Sequence, residues 1–343
     1  MKFAVGYQLP EADEEPFVDV VRDYAAHVAE VYFPWADMPS GRAALLSRRG
    51  HTDWSGQRRL EADLLAFREM GIRLNVLFNA ACYGRHAASA FLANRVISVL
   101  EHLDEVAGGV DVVTTTSPAV AGTVHRHFGS VRVRASVNMR IGTVAGMEYV
   151  AGLFDSFCVQ RECNRDLSRL NDLKAWADAN GKGLTMLANS GCLAHCSGQT
   201  FHDNMVAHEA DIDETAPIDG FNPHVCANYL ADREHWPMIL ANTWVRPEDL
   251  HRYEGLFDVV KLATRQHARP RTVIDAYARR RYRGNLLDLL EPSHAHLLAP
   301  WIIDNQRFPP DWFDRCTDCA HRCETCDYCR EVLDRVLIRT GGE

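Results

Sequence analysis

The sequence predicts an α/β chain: a TIM-type (β/α)8 barrel with an insertion and a C-terminal cysteine-rich appendix. Three observations predict it. Strand-like and helix-like segments alternate with short turns from residue 3 to residue 188, and regular βα alternation calls for parallel strands. The strand count reaches seven by residue 188, and an eighth apolar run follows at Val259–Leu262. No Gly-x-Gly-x-x-Gly follows the first strand, which disfavours a dinucleotide-binding open sheet.

Taken in order, Phe3–Tyr7 is a short apolar strand, Phe17–Ala29 has helical spacing, and Val31–Phe33 belongs to the next strand. A loop rich in Pro, Ser and Gly spans residues 34–56. Helix Arg58–Met70 stops at Gly71, a C-terminal signal, before strand Ile72–Phe78. Helix Phe91–Glu105 ends near Gly108-Gly109 and leads to strand Val110–Thr114. Ser117-Pro118 opens helix Ala119–His127, and Gly129 precedes strand Val131–Val137. Helix Ala145–Leu153 and strand Ser156–Val159 follow, then helix Asp166–Asn180, Gly181 and strand Gly183–Ala188.

A chain of 343 residues is long enough for one large barrel and a small appendix. We divide it into a barrel over 1–290 and a cysteine-rich extension over 291–343. Hydrophobic content of 47% and charged content of 24% are ordinary for a soluble globular protein. No run of 18 apolar residues occurs, so no membrane span is expected. The N-terminus lacks the long apolar stretch of a signal peptide, and the expected location is cytoplasmic. Thiols stay reduced there, so clustered cysteines read as ligands before disulfides. The net charge of −9 disfavours nonspecific nucleic-acid binding by the whole surface. The basic run around Arg269, Arg271 and Arg279–Arg281 reads as a solvated helix face.

Ten of the eleven cysteines fall in two groups. The first comprises Cys192-x3-Cys196 just past the seventh strand, Cys226 in the insertion, and Cys158 and Cys163 at the end of the sixth strand. Thiolates at such spacing converge on one metal or cluster, and adjacent barrel loops lie side by side. Cys192, Cys196, Cys226 and Cys163 are therefore the expected ligands of a 4Fe–4S cluster. His195, His202 and His224 leave a mixed Cys/His zinc site open. The second group is Cys316, Cys319, Cys323, Cys326 and Cys329. Five cysteines in this short run are a metal signal. Zinc and a second cluster remain open for it, since the gap between its Cys-x2-Cys pairs is shorter than in a zinc ribbon.

In a TIM barrel the active site lies at the C-terminal strand ends. That rule nominates Gln8, Asn79, Ser117, Asn138, Gln160, Asn189 and Lys261. Arg140, Arg161, Arg165, Lys261 and Arg265 could grip carboxylates or phosphates there. Asn and Ser also cap helices and turns. Zinc-protease helix, Gly-x-Ser-x-Gly and phosphate-loop motifs are all absent.

The stretches Val112–Pro118, Val133–Arg140, Glu162–Leu167, Asn189–Cys196, Trp244–Leu250 and Asp258–Arg265 resemble the collagenase-like peptidase family U-32. The resemblance runs from about residue 1 to 290 and is strongest over Asn189–Cys196. It implies a TIM barrel with a 4Fe–4S cluster on four cysteines. It supports Cys192, Cys196 and Cys226 as ligands, and Cys163 less firmly. Ser197 stands where many relatives have Pro. The resemblance further implies oxygen-independent hydroxylation or a related modification of a small molecule or an RNA base; a protein partner or electron donor is a separate expectation. The alternatives are a peptidase and a noncatalytic metal-stabilised partner in a hetero-complex.

Overall fold

The computed structural model describes the chain except residues 12, 37, 43–46, 49–50, 213–214, 258, 320–321, 324 and 342–343. Part of the 34–56 loop, and Asp258, thus lie outside the described residues.

The eight predicted strands close into one parallel barrel in sequential order: β1 Lys2–Gly6, β2 Val28–Pro34, β3 Arg73–Phe78, β4 Val112–Thr115, β5 Arg132–Ala135, β6 Ser156–Cys158, β7 Gly183–Leu187 and β8 Val259–Leu262, the last pairing with β1. Helices α1 Phe17–Asp23, α2 Trp54–Glu69, α3 Ala90–Ala107, α4 Pro118–His127, α5 Val144–Glu148 and α6 Leu167–Ala179 follow the first six strands in turn. Their starts are written locally. Asp53 caps α2 through Ser55 N and Gly56 N, Ser89 caps α3, and Ser117 caps α4 with Pro118 in its first turn. The helix expected over Phe17–Ala29 ends at Asp23 instead. Val28 pairs with Phe3 in the barrel, so the sheet takes residues whose apolar spacing also suits a helix. Helix α5 ends at Glu148, short of the expected Leu153.

Alternation along the strands divides their side chains between two environments. Val5, Val31, Phe33, Val76, Val113, Val133, Phe157, Met186 and Val260 face the helices in one continuous core. The barrel interior is largely polar. Glu30 is fully buried there and takes a bidentate pair from Arg134 at 2.6 and 3.0 Å. Asn75 donates to the same carboxylate at 2.6 Å, and Thr114 donates to Asn75 at 2.9 Å. Ala4, Tyr32 and Leu77 fill the space beside this network.

A second core joins the insertion after β7 to the C-terminal residues. Leu230, Trp236, Leu240 and Trp244 from the insertion pack on Leu286, Leu298, Trp312, Val332 and Val336. An antiparallel pair, β9 Trp301–Ile303 and β10 Leu337–Arg339, closes this part. The basic run at 269–281 is spent on ion pairs: Arg271 with Glu15 and Asp23, Arg279 with Asp275, and Arg280 with Glu254. No helix among the described residues is long and apolar enough to cross a membrane.

Candidate functional site: the thiol- and arginine-lined barrel mouth

The loops after β2, β6, β7 and β8 meet at the C-terminal end of the barrel. The loop after β7 is held by backbone pairing. Residues 189–191 run beside 290–292, with Glu291 N donating to Asn189 O and Gly191 N donating to Glu291 O at 3.0 and 2.9 Å. Asn242 and His294 both approach the Gly191 carbonyl, at 3.0 and 3.1 Å. Cys192 is presented from this anchored backbone.

The Cys192 thiol is partly exposed by surface area. Burial alone would raise it, but the guanidiniums of Arg161 and Arg42 outweigh that and hold it below the ordinary thiol range. Arg161 is buried and its Nη1 donates to Ser190 Oγ at 3.3 Å. Arg42 pairs with Glu291 at 3.3 Å, and the second carboxylate oxygen of Glu291 has no hydrogen-bond partner among the described residues. Arg265 donates to Ser40 Oγ at 3.1 Å and is lowered to about 10, by burial first.

Cys226 joins Cys192 through direct packing of the two segments. A Cβ on Gly198 would sit 2.4 Å from a Val225 methyl, so the backbone after Cys196 lies against the residue before Cys226. The rings of His202 and His224 meet edge-on at 5.1 Å. Cys226 is raised by burial and by the facing charge of Cys192, with a smaller effect of Cys196. Three thiols from two packed segments thus lie on the same side of the barrel mouth, within electrostatic reach of Cys226. Among the described residues no three Cys, His, Asp or Glu side chains stand close enough to share a metal ion in this arrangement.

Cys163 is held differently. It is fully buried in the short turn Arg161–Arg165 after β6, its sulfur faces Gly142 O at 3.7 Å, and burial pushes it up to about 11. Cys158 faces the barrel interior and is likewise raised by burial. Lys261 lies in the interior with its Nζ 4.1 Å from the centre of the Tyr32 ring, and burial lowers it to about 8.

Several residues nominated from the strand ends serve the scaffold. Gln8 Nε2 donates to Thr264 O and His267 O at 2.5 and 2.6 Å. Asn189 clasps Ala263 and Leu289, and Ser117 caps α4. Asn79 accepts from Gly41 N at 3.0 Å. Asn138 comes so close to Gly41 that an added Cβ would lie 2.5 Å from its Nδ2. A Cβ on Gly142 would lie 2.4 Å from Gln160. Arg140 adopts a left-handed backbone and pairs with Asp203 at 3.2 Å, which ties the rim to the helix Gln199–Ala207. Arg165 points to Leu240 O and Trp244 O at 2.6 and 2.9 Å, in the second core. Sequence reading did not nominate Arg42 or Glu291. Neither follows a strand closely, and their roles come from a contact 249 positions apart.

At pH 7, metal-free protein should react with iodoacetamide faster at Cys192, whose thiol is lowered, than at Cys226 or Cys163, whose thiols are raised. Arg161→Gln should slow that reaction. Peptide mapping across pH checks it, and first labelling at Cys226 would contradict the assignment.

No known family profile matches the chain. The uncharacterized protease MJ1657 of Methanocaldococcus jannaschii is 25% identical over 280 residues, covering 78% of this chain and 77% of that protein. The solved U32 peptidase Mk0906 shares the fold with a TM-score of 0.54 and 16% identity, over 77% of this chain and 93% of that one. The chain is thus similar in sequence to a protein named a protease, and it shares its barrel fold with a solved U32 peptidase.

Proposed function

We propose that the chain is an iron–sulfur barrel enzyme that carries out redox chemistry, of the oxygen-independent hydroxylation type, on a small molecule or nucleobase bearing an anionic group. The observation that carries this reading is Cys192, held between Arg161 and Arg42 with the Cys226 segment packed on its loop. The donor set fits an iron–sulfur group in kind: three thiols, one of them lowered by neighbouring guanidiniums. Cys192, Cys196 and Cys226 would hold the cluster. Cys163, expected from sequence as the fourth ligand, is left out of the cluster by this reading, because it is buried in the turn after β6 with its sulfur turned to Gly142 O. When bound, the cluster supplies electron transfer at the barrel mouth.

The chain's own residues supply binding and orientation. Arg42, Arg161 and Arg265 gather positive charge at the C-terminal end of the barrel, against the carboxylates of Glu291 and Asp203. Guanidiniums suit carboxylate or phosphate groups because of their planar donor fork. Lys261 stands deeper, and with its amine lowered to about 8 it can hold or release a proton near neutral pH. An electron-donating protein partner belongs to this reading.

Anaerobic purification with iron and sulfide counts and a visible spectrum tests it. The wild type should hold about four iron and four sulfide per chain. Cys192→Ala should lose most of both, whereas Cys163→Ala should keep them. A chain without iron or sulfide that hydrolyses peptides, and stops when Cys192 is alkylated, would replace this reading with the peptidase one. That second reading is favoured by the name of the archaeal relative and by the same lowered thiol.

A further inference from the structure

Lysine is rare in this chain: Lys and Arg total 37, and only four of them are lysine. Three of the four have ordinary surroundings. Lys2 is exposed, Lys174 pairs with Asp178, and Lys182 donates to Ala151 O and Phe154 O at 2.8 Å. Lys261 is the exception. It stands in register with Ala4 of β1 and Leu187 of β7. Its neighbours along β8, Val260 and Leu262, belong to the core under the helices. Alternation along the strand therefore turns Lys261 into the barrel.

The interior is shaped around its amine. Tyr32, on β2, reaches across β1 and donates to Leu262 O at 2.8 Å. It can cross because β1 ends in Gly6, where an added Cβ would lie 2.8 Å from the Tyr32 ring and hydroxyl. The ring so fixed carries Lys261 Nζ over its face, 4.1 Å from the centre. Among the described residues the amine makes no hydrogen bond and no ion pair. Glu30, the buried carboxylate of the interior, is already taken by Arg134 and Asn75. Lys261 is only partly covered, so the interior leaves room beside it. Burial first, and then the guanidiniums of Arg265 and Arg134, lower the amine to about 8 against the opposing charges of Cys158 and Glu30. A lysine amine in such surroundings is a nucleophile for carbonyl carbon.

We propose that Lys261 captures a small aldehyde or ketone bearing a carboxylate as a covalent imine inside the barrel, with the arginines at the C-terminal end of the barrel holding the acid. The amine lone pair forms the C–N bond while the carbonyl electrons move to oxygen. Two protons pass from nitrogen to that oxygen, water leaves, and a C=N bond remains. A proton from solvent then makes it an iminium, which draws electrons from the adjacent carbon. No oxidant or reductant is consumed. Arg265 follows β8 by three residues, is buried, and donates to Ser40 Oγ at 3.1 Å. Its planar donor fork suits a carboxylate. This activity goes beyond the redox reading of the mouth and stands without a cluster.

Reductive trapping on the full wild-type chain tests this, with pyruvate as the probe and cyanoborohydride as the reductant. Cyanoborohydride converts an imine into a stable secondary amine, which peptide mapping by mass spectrometry locates. At about pH 7.5, labelling of Lys261 should exceed that of each other lysine by about tenfold or more, since each pKa unit is tenfold in free amine. The rate should saturate with pyruvate, as binding of the acid before reaction requires, and rise linearly with acetone. Labelling at Lys261 no faster than at Lys2, or a rate that is linear in pyruvate, overturns the proposal. The readout is a covalent adduct and not iron, so this proposal and the redox reading can fail separately.

Discussion

Replacing Glu30 by alanine lowers the unfolding free energy by about 3–5 kcal/mol, the usual result of leaving one partner of a buried ion pair alone. Glu30 is fully buried and is the only carboxylate in contact with Arg134 among the described residues, at 2.6 and 3.0 Å. Without it the Arg134 guanidinium keeps only Ser156 Oγ at 3.3 Å, and Asn75 loses its acceptor. The double replacement Glu30→Leu with Arg134→Met should recover more than half of the loss, because desolvation of both charges disappears together. Urea midpoints of the three variants measure this. A single variant that unfolds like wild type would falsify the assignment of the pair to the barrel's stability.

The same pair sets an acid limit. Burial alone would raise the Glu30 carboxyl, but Arg134, Asn75 and Arg73 outweigh it and the group is held below the usual carboxylate range. A lowered carboxylate stabilises the fold above its unfolded value and ceases to do so as pH falls through its folded value. Stability should therefore decline below about pH 4.5 with a slope that the double variant lacks.

The barrel itself was legible because its signal is local. Apolar runs at Arg73–Phe78 and Val259–Leu262 are bounded by turn residues, and Ser117-Pro118 announces α4 in two positions. Where local and distant forces compete, the sequence misleads: residues 24–29 carry helical spacing, yet Val28 is taken by β1. The polar interior was not legible. Glu30 and Arg134 lie 104 positions apart, and nothing in either neighbourhood announces the other. The cysteine spacing pointed to the thiols of the mouth and the strand-end rule to Arg161 and Arg265, but nothing local pointed to Arg42. Arg42 reaches the site from the second βα loop and is fixed by Glu291, from a segment that only the folded chain places beside residue 191.

Gly191→Ala should abolish most iron uptake at the mouth while leaving the barrel folded. An added Cβ there would lie 1.9 Å from Pro292 O and 3.1 Å from Pro292 C. Both are backbone atoms, and the Gly191 amide and carbonyl are tied to Glu291, Asn242 and His294. Neither side can yield cheaply, so the 189–191 backbone must leave 290–292 and carry Cys192 away from Arg161 and Arg42. The thiol then loses the charges that lower it, and its alkylation at pH 7 should slow. Gly122→Ala in α4 is the control, since an added Cβ there meets nothing within 4 Å. Alanine in an open helical position stabilises by about 0.4–1 kcal/mol, so that variant should keep wild-type iron and labelling. Far-UV circular dichroism separates a displaced loop from an unfolded barrel. If Gly191→Ala binds iron and reacts at Cys192 as the wild type does, the close contact with Pro292 does not position the thiol, and the geometry of the mouth must be set by Arg161 and Arg42 alone.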